Sequence, residues 1–185
     1  EGLSPLIREG DRLGLRQYFE RYITPIHRQH IDHSKQLSRV QNTIIRNLLD
    51  VALGQAETWE GLTLDFAING DLHIPADLEL LLFETMSIFL DNARNALQGH
   101  IDGLLRIHFT GTAEAITIII ANTVADSIDI SKLYSTSQRR GAHGHGLKRV
   151  REIVLHHAAL EHYTYLAGQF GGHPIFVQHL KVSLQ

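Results

Sequence analysis

The sequence contains no cysteine. Disulfides and thiolate metal sites are therefore excluded, and the composition fits a reducing compartment without establishing one. No apolar run reaches the ~18 residues that a membrane-spanning helix needs. Excess charge is also scarce: 17 Lys and Arg stand against 20 Asp and Glu, for a formal net charge of −3. That balance gives no reason to expect nucleic acid or an acidic membrane surface as a partner. The chain opens at Glu1 with neither Met nor a targeting segment. We therefore expect a piece of a longer protein, whose remainder could hold a membrane segment.

What is present suffices for one ordinary domain with a small appendage. The chain has 185 residues, 43% of them hydrophobic, which argues against disorder. Thirteen histidines are many, but they are scattered and none forms an HExxH motif. His156 and His157 are adjacent and cannot both face one metal from a helix. The histidines read as surface and partly buried residues rather than metal ligands.

Two helices are predicted first. Leu13, Leu15, Tyr18, Phe19 and Tyr22 give an apolar face over residues 11–23, which Pro25 then interrupts. A second helix is expected over 33–57, with Leu37, Val40, Ile44, Leu48 and Val51 as a narrow seam. Such a hairpin has too little core alone and would need a partner, such as a second copy of itself. After Gly61, the alternation of Leu62, Leu64, Phe66 and Ile68 predicts a strand, closed by the turn signal Asn69-Gly70-Asp71. A long helix follows Pro75 and runs to about residue 98. Its buried stripe is Leu78, Leu82, Met86, Phe89, Ala93 and Leu97. Residues 105–109 and 115–121 read as a strand hairpin, the second strand buried on both faces. Residues 122–142 are irregular and polar, and a loop of that length is usually functional. A helix over 144–157 and strands over 160–166 and 175–184 complete the chain. The order of elements predicts an antiparallel-rich sheet with helices on one face.

The residues that carry chemistry fall in two segments. One is Asp91-Asn92-Ala93, inside the long apolar helix. The other is His143-Gly144-His145-Gly146-Leu147, opening the last helix. A polar Asn92 in an apolar stripe must find a partner if buried. That partner could be a neighbouring loop, or Asn92 could hold a hydrated Mg²⁺ ion. Asn95 shares its helix face, where it could meet phosphate or only water. Gly144 and Gly146 permit close backbone approach to phosphate oxygens at a helix N-terminus, though a plain glycine turn has the same look. Asn122 ends a strand and offers both a donor and an acceptor, suited to an adenine edge or to a turn. Arg139, Arg140, Lys148 and Arg149 could add positive charge or simply form a solvated face.

The ordered set of these segments resembles the ATP-binding domain of sensor histidine kinases and type II topoisomerases, the Bergerat or GHKL fold. Ile88-Phe89-Leu90-Asp91-Asn92-Ala93-Arg94-Asn95-Ala96 looks like its N-box, and His143-Gly144-His145-Gly146-Leu147 like its second glycine box. A closer resemblance is to the peptide-responsive, quorum-sensing branch of sensor histidine kinases, the accessory-gene-regulator and competence type. That branch carries Asp-Asn-Ala after an apolar run, a strand ending in Asn as at Asn122-Thr123, and a Ser-Thr-Lys stretch matched by Ser135-Thr136-Ser137. Glu9-Gly10-Asp11 and Ile23-Thr24-Pro25 look like the stretch after its phosphoacceptor histidine. There are departures. Ser137 replaces the Lys, Asn95 stands where ordinary sensor kinases are often basic, and Ile88 replaces an Asn or Glu found elsewhere in the superfamily.

The resemblance implies an α+β, two-layer α/β sandwich, a mixed sheet covered by helices on one face. An α-helical hairpin over 1–60 would precede an ATP-binding domain over 61–185. It implies ATP and Mg²⁺ as cofactors. Asn92 would be the metal ligand, and Asn92, Asn95, Asn122, Ser135, Thr136, Gly144, His145, Gly146 and Leu147 would make the ATP site, with residues 123–142 as a lid. The implied reaction is transfer of the ATP γ-phosphoryl group to a histidine upstream of Glu1, rather than to His27, His30 or His33. Implied partners are a second copy, through the helical region, and a response regulator. The setting would be the cytoplasmic domain of a bacterial cell-membrane protein. Three other readings stay open: a GHKL ATPase that hydrolyses ATP, a nucleotide-binding scaffold without catalysis, and an interaction module built on the helical seams.

Overall fold

The structure is a computed structural model and describes residues 33–98, 102–124 and 146–184. The chain groups into two compact units, Glu1–Ser38 and Arg39–Gln185. Of the first, the described part is one helical turn over 33–37. Ser38 closes it, its N–H donating to Ser34 O and its hydroxyl to Lys35 O.

The second unit does not open with the continuous helix expected over 33–57. Residues 38–42 break it. Val40 forms an isolated parallel bridge with Leu72, and Leu72 N–H donates to Arg39 O at 3.0 Å. The Arg46 guanidinium holds Val40 O through two donors, at 2.9 and 2.7 Å. Asn42 then restarts the helix as its N-cap, the side-chain oxygen accepting from Ile45 N–H at 3.0 Å. Helix α1 is Thr43–Glu57. Its buried stripe is Ile45, Leu49, Leu53 and Ala56, one position round from the expected seam. Ile44 and Val51 are consequently 40% and 59% exposed.

Strand β1 (Thr63–Asn69) is followed by helix α2 (Glu79–Leu97), which returns the chain to strand β2 (Leu104–Gly111), parallel to β1. Two glycines let the β1 and β2 ends meet. Gly70 has φ +79°, and a Cβ there would lie 2.5 Å from Gly111 O. All six residues of the stripe expected on α2 are buried. Burying one such aromatic or aliphatic side chain contributes about 1.5–3 kcal/mol, so this face anchors the domain. Thr85 joins them, fully buried.

The expected hairpin of β2 and β3 (Ala115–Thr123) is present, in register from Leu105↔Asn122 to Gly111↔Ile116. Helix α3 (Gly146–His156) buries Val150 and Ile153. Strands β4 (Leu160–Phe170) and β5 (His173–Ser183) form a second hairpin through Gly171 and Gly172. Both strands extend further towards the turn than expected. Gly168, at φ +58°, takes up a register shift between Leu166 and Gln169, so β4 continues past the irregularity.

The sheet order is β1-β2-β3-β5-β4, with one parallel and three antiparallel pairings. Helices α2 and α3 pack together, α2 against β3 and α3 against β4, while α1 lies on α2. This is the two-layer α+β sandwich with a mixed sheet that the sequence led us to expect. A smaller apolar cluster of Leu104, Ala121, Ile175 and Val177 sits on the face of opposite side-chain parity.

Candidate functional site

The candidate site is built where the first turn of α3 meets α2, with the middle of β5 bonded to α2 and the end of β3 on the same sheet face. Asn92 sits on α2 one turn beyond Phe89 and is half-buried. Its Nδ2 donates to Gln178 Oε1 at 3.2 Å. Gln178 is fully buried in β5, paired with Ile120 of β3, and its own Nε2 donates to Phe89 O at 3.2 Å. The buried carboxamide of Gln178 therefore bonds to two positions of one helix, three residues apart.

Gly146 opens α3 against this surface. A Cβ on Gly146 would lie 2.9 Å from Ile88 Cγ2 and 3.8 Å from Asn92 Oδ1. Only a residue without a side chain fits this approach unaltered, so the glycine leaves a small cradle beside the Asn92 oxygen. Leu147 follows, half-buried. The first N–H groups of a helix have no intrahelical acceptor and stand at the positive end of its dipole, which suits an anion. Arg149, a candidate phosphate cation, is instead committed to Glu84 of α2 through Nε–Oε1 at 2.7 Å and Nη2–Oε2 at 3.1 Å. This hydrogen bonding from Arg149 holds the Glu84 carboxyl below its ordinary value. The pair ties the first turn of α3 to α2 one turn before Ile88.

Asn122 lies near the end of β3, opposite Leu105 and Phe176. Strand alternation puts it on the same face as Ile116, Ile118 and Ile120, the face that α2 covers. It is 1% exposed. Its Nδ2 donates to Thr123 O at 2.9 Å, while Oδ1 is buried without a partner. A buried acceptor left open costs about 1–3 kcal/mol unless something donates to it, so this oxygen is free to accept a further hydrogen bond.

The structure thus brings Asn92 and Gly146 together, with Leu147 next to Gly146 and Asn122 on the sheet beneath the helices. Asn95 is exposed on α2. Ser135, Thr136, Gly144 and His145, and most of the expected lid, lie outside the described residues. Sequence reasoning missed Gln178 and His162. Gln178 carries a readable signal, being the one polar residue among the inward positions Phe176, Leu180 and Val182 of β5. His162 of β4 stacks on Phe89 with ring centroids 5.0 Å apart, its Nε2 buried without a partner. Burial pushes its pKa down to about 4, so the ring is neutral at physiological pH. A separate groove of about 240 Å³, lined by Leu48, Val51, Trp59, Leu90 and Asp91 among others, runs between α1 and α2. Asn92, Asn122 and Gly146 do not line it.

Residues 78–162 match the family model described as a GHKL domain. No curated protein sequence is significantly similar to this chain. Among solved structures, the catalytic domain of histidine kinase ThkA is similar with a TM-score of 0.58 at 17% identity, over 77% of this chain and 91% of that one. Mycobacterial sensor histidine kinase MprB gives 0.56 at 14% identity, over 76% and 93%. Histidine kinase AdeS of Acinetobacter baumannii gives 0.51 at 15% identity, over 98% and 91%. The matched region 78–162 takes in α2, β2, β3, α3 and the start of β4. The sheet domain therefore has the fold of histidine kinase catalytic domains, with a GHKL domain match at its centre.

Proposed function

We propose that this chain is the catalytic portion of a two-component sensor histidine kinase, which binds ATP and Mg²⁺ and transfers the γ-phosphoryl group to a histidine upstream of Glu1. The observation that carries the proposal is the meeting of Gly146 with Asn92 and Ile88. Two segments more than 50 residues apart in sequence, each suited to one part of Mg-ATP, are adjacent in the fold.

The residues present fit the nucleotide and the ion. Asn122 Oδ1, buried and open, accepts from an adenine amino group. The backbone N–H groups of Gly146 and Leu147, with Gly144 and His145 before them, donate to phosphate oxygens. Ser135 and Thr136 add hydroxyl donors, and Asn95 borders the phosphates. Asn92 Oδ1 is the ligand for Mg²⁺, which when bound neutralises phosphate charge. Among the described residues no three His, Asp or Glu groups converge on a metal position. The protein's part in the reaction is positioning and charge stabilisation.

The helical region of residues 1–60 supplies contact with a second copy. The exposed Ile44 and Val51 on α1 support that reading. The response regulator is the second partner. Among the described residues no helix is long and apolar enough to cross a membrane, and a bacterial membrane anchor with this portion on the cytoplasmic side belongs to the family reading. Placement in the peptide-responsive quorum-sensing branch rests on Asp91-Asn92-Ala93, Asn122 and Ser135-Thr136-Ser137 together. A hydrolysing ATPase is disfavoured by Ile88, an apolar side chain packed at Gly146 where such enzymes need a carboxylate. Incubation with γ-labelled ATP tests the proposal. This chain alone should acquire no acid-labile, base-stable label, and the chain extended upstream through its acceptor helix should. Release of labelled phosphate by the extended chain without a phosphohistidine would favour the ATPase, and neither product would favour the non-catalytic scaffold.

A further inference from the structure

We infer that Gln178 is a positioning residue for the metal ligand: it fixes the Asn92 carboxamide with Oδ1, not Nδ2, turned towards the N-terminus of α3. The inference deepens the proposed Mg-ATP site and rests on it.

An asparagine carboxamide is nearly symmetric in shape, and only its hydrogen-bond partners decide which end is oxygen. Here the decision starts at a group that cannot be turned round. Phe89 O is a backbone carbonyl and only accepts. The Gln178 atom 3.2 Å from it must therefore be the donor Nε2. Gln178 Oε1 is then the end that faces Asn92, and it too only accepts. The Asn92 atom 3.2 Å away must be Nδ2. Oδ1 is left on the side of Gly146, 3.8 Å from the position of the absent Cβ. The reverse orientation would place two acceptors against each other and present N–H groups to the cradle.

Magnesium takes oxygen ligands, and an amide NH₂ is no substitute. A freely turning Asn92 would therefore be a poorer ligand than a fixed one. Gln178 is well placed to fix it. It lies on β5, which is hydrogen-bonded to β3 on one side and β4 on the other, opposite Ile120 and Thr164. Its side chain is fully buried, and the inward positions on either side of it along β5, Phe176, Leu180 and Val182, are apolar. A buried amide costs stability unless its hydrogen bonds are made, and both of those formed here lead to the Asn92 turn of α2. Groups of this kind, which orient a metal ligand without touching the metal, typically cost 10–100-fold in metal affinity when removed.

The test is Gln178→Met, close in volume and unable to hold Asn92. Titrating the chain calorimetrically with a non-hydrolysable ATP analogue, in Mg²⁺ and again in EDTA, separates the metal's contribution from that of the nucleotide. We expect affinity in EDTA to be kept, and the gain on adding Mg²⁺ to fall about 10–100-fold. An undiminished Mg²⁺ gain in the variant overturns the inference while leaving the Mg-ATP site standing. Parallel losses in both media also overturn it, because they assign Gln178 a packing role alone. Absence of any Mg²⁺ gain in the wild type overturns the site and the inference together. If Gln178→Met does not fold, solvent exchange of the side-chain amide protons in the wild type decides. Slow exchange at Asn92 Nδ2 relative to the exposed Asn95 supports the inference, and equal rates overturn it.

Discussion

Gly146 and Ile88 stand so close that a Cβ on the glycine would come within 2.9 Å of Ile88 Cγ2. Ile88 is β-branched and cannot swing that methyl aside cheaply. The contact sets how near the first turn of α3 comes to α2, and so how near the backbone donors come to Asn92.

Gly146→Ala should therefore destabilise the domain by about 1–3 kcal/mol, the usual cost of overpacking. The sign is informative, because Gly to Ala within a helix otherwise stabilises by up to about 1 kcal/mol. Ile88→Ala in the same chain should recover part of the loss by making room. Chemical denaturation of the two single variants and the double variant measures the coupling. Strict additivity would contradict the contact.

Asn122→Ala removes the open acceptor. It should weaken ATP binding by about 3–10-fold, one hydrogen bond's worth, and equally with and without Mg²⁺. Stability should fall by no more than about 1 kcal/mol, for the lost bond from Nδ2 to Thr123 O. Calorimetric titration checks this. An unchanged affinity would remove Asn122 from the site.

His162 gives a prediction in pH. Burial lowers its pKa from the ordinary 6.5 to about 4. As pH falls through this window the unfolded chain binds a proton that the folded chain does not, so stability drops with acidification. The full window is worth up to about 3 kcal/mol. Asp65 titrates lower: burial tends to raise its carboxyl, but hydrogen bonds from His108 and Arg106 hold it below its ordinary value. His162→Leu should therefore flatten the decline in stability between pH 6.5 and 4. An identical decline in variant and wild type would contradict the burial of a neutral imidazole.

How much of this was readable beforehand follows from the spacing of residues. The stripe from Leu78 to Leu97 repeats with a helical period and has no competitor, so α2 and its inward face were legible. On α1 the sequence offers two stripes, Ile44 with Leu48 and Ile45 with Leu49. Only packing on α2 chooses the second. The break before Asn42 has a local cause, an N-cap, which the continuing seam masked. Asn92 stood out as a candidate because it interrupts an apolar stripe, Asn122 because it closes an apolar strand, and Gly146 because it is the second of two glycines just before a helical pattern. The bond from Asn92 to Gln178 was not readable, since it spans 86 positions and depends on which strand of the sheet lies under α2. The stacking of His162 on Phe89 is hidden for the same reason.

The central claim, that Asn92 and the turn beside it hold Mg-ATP, is tested most directly by thermal unfolding of the wild type and of Asn92→Ala with ATP, in Mg²⁺ and in EDTA. Ligand that binds only the folded state at 100 times its Kd stabilises by about 2.7 kcal/mol, which such a scan resolves readily. The wild type should gain more in Mg²⁺ than in EDTA. Asn92→Ala should fold, keep the EDTA gain and lose the additional gain from Mg²⁺. An equal Mg²⁺ gain in both proteins, or none in the wild type, would contradict the claim.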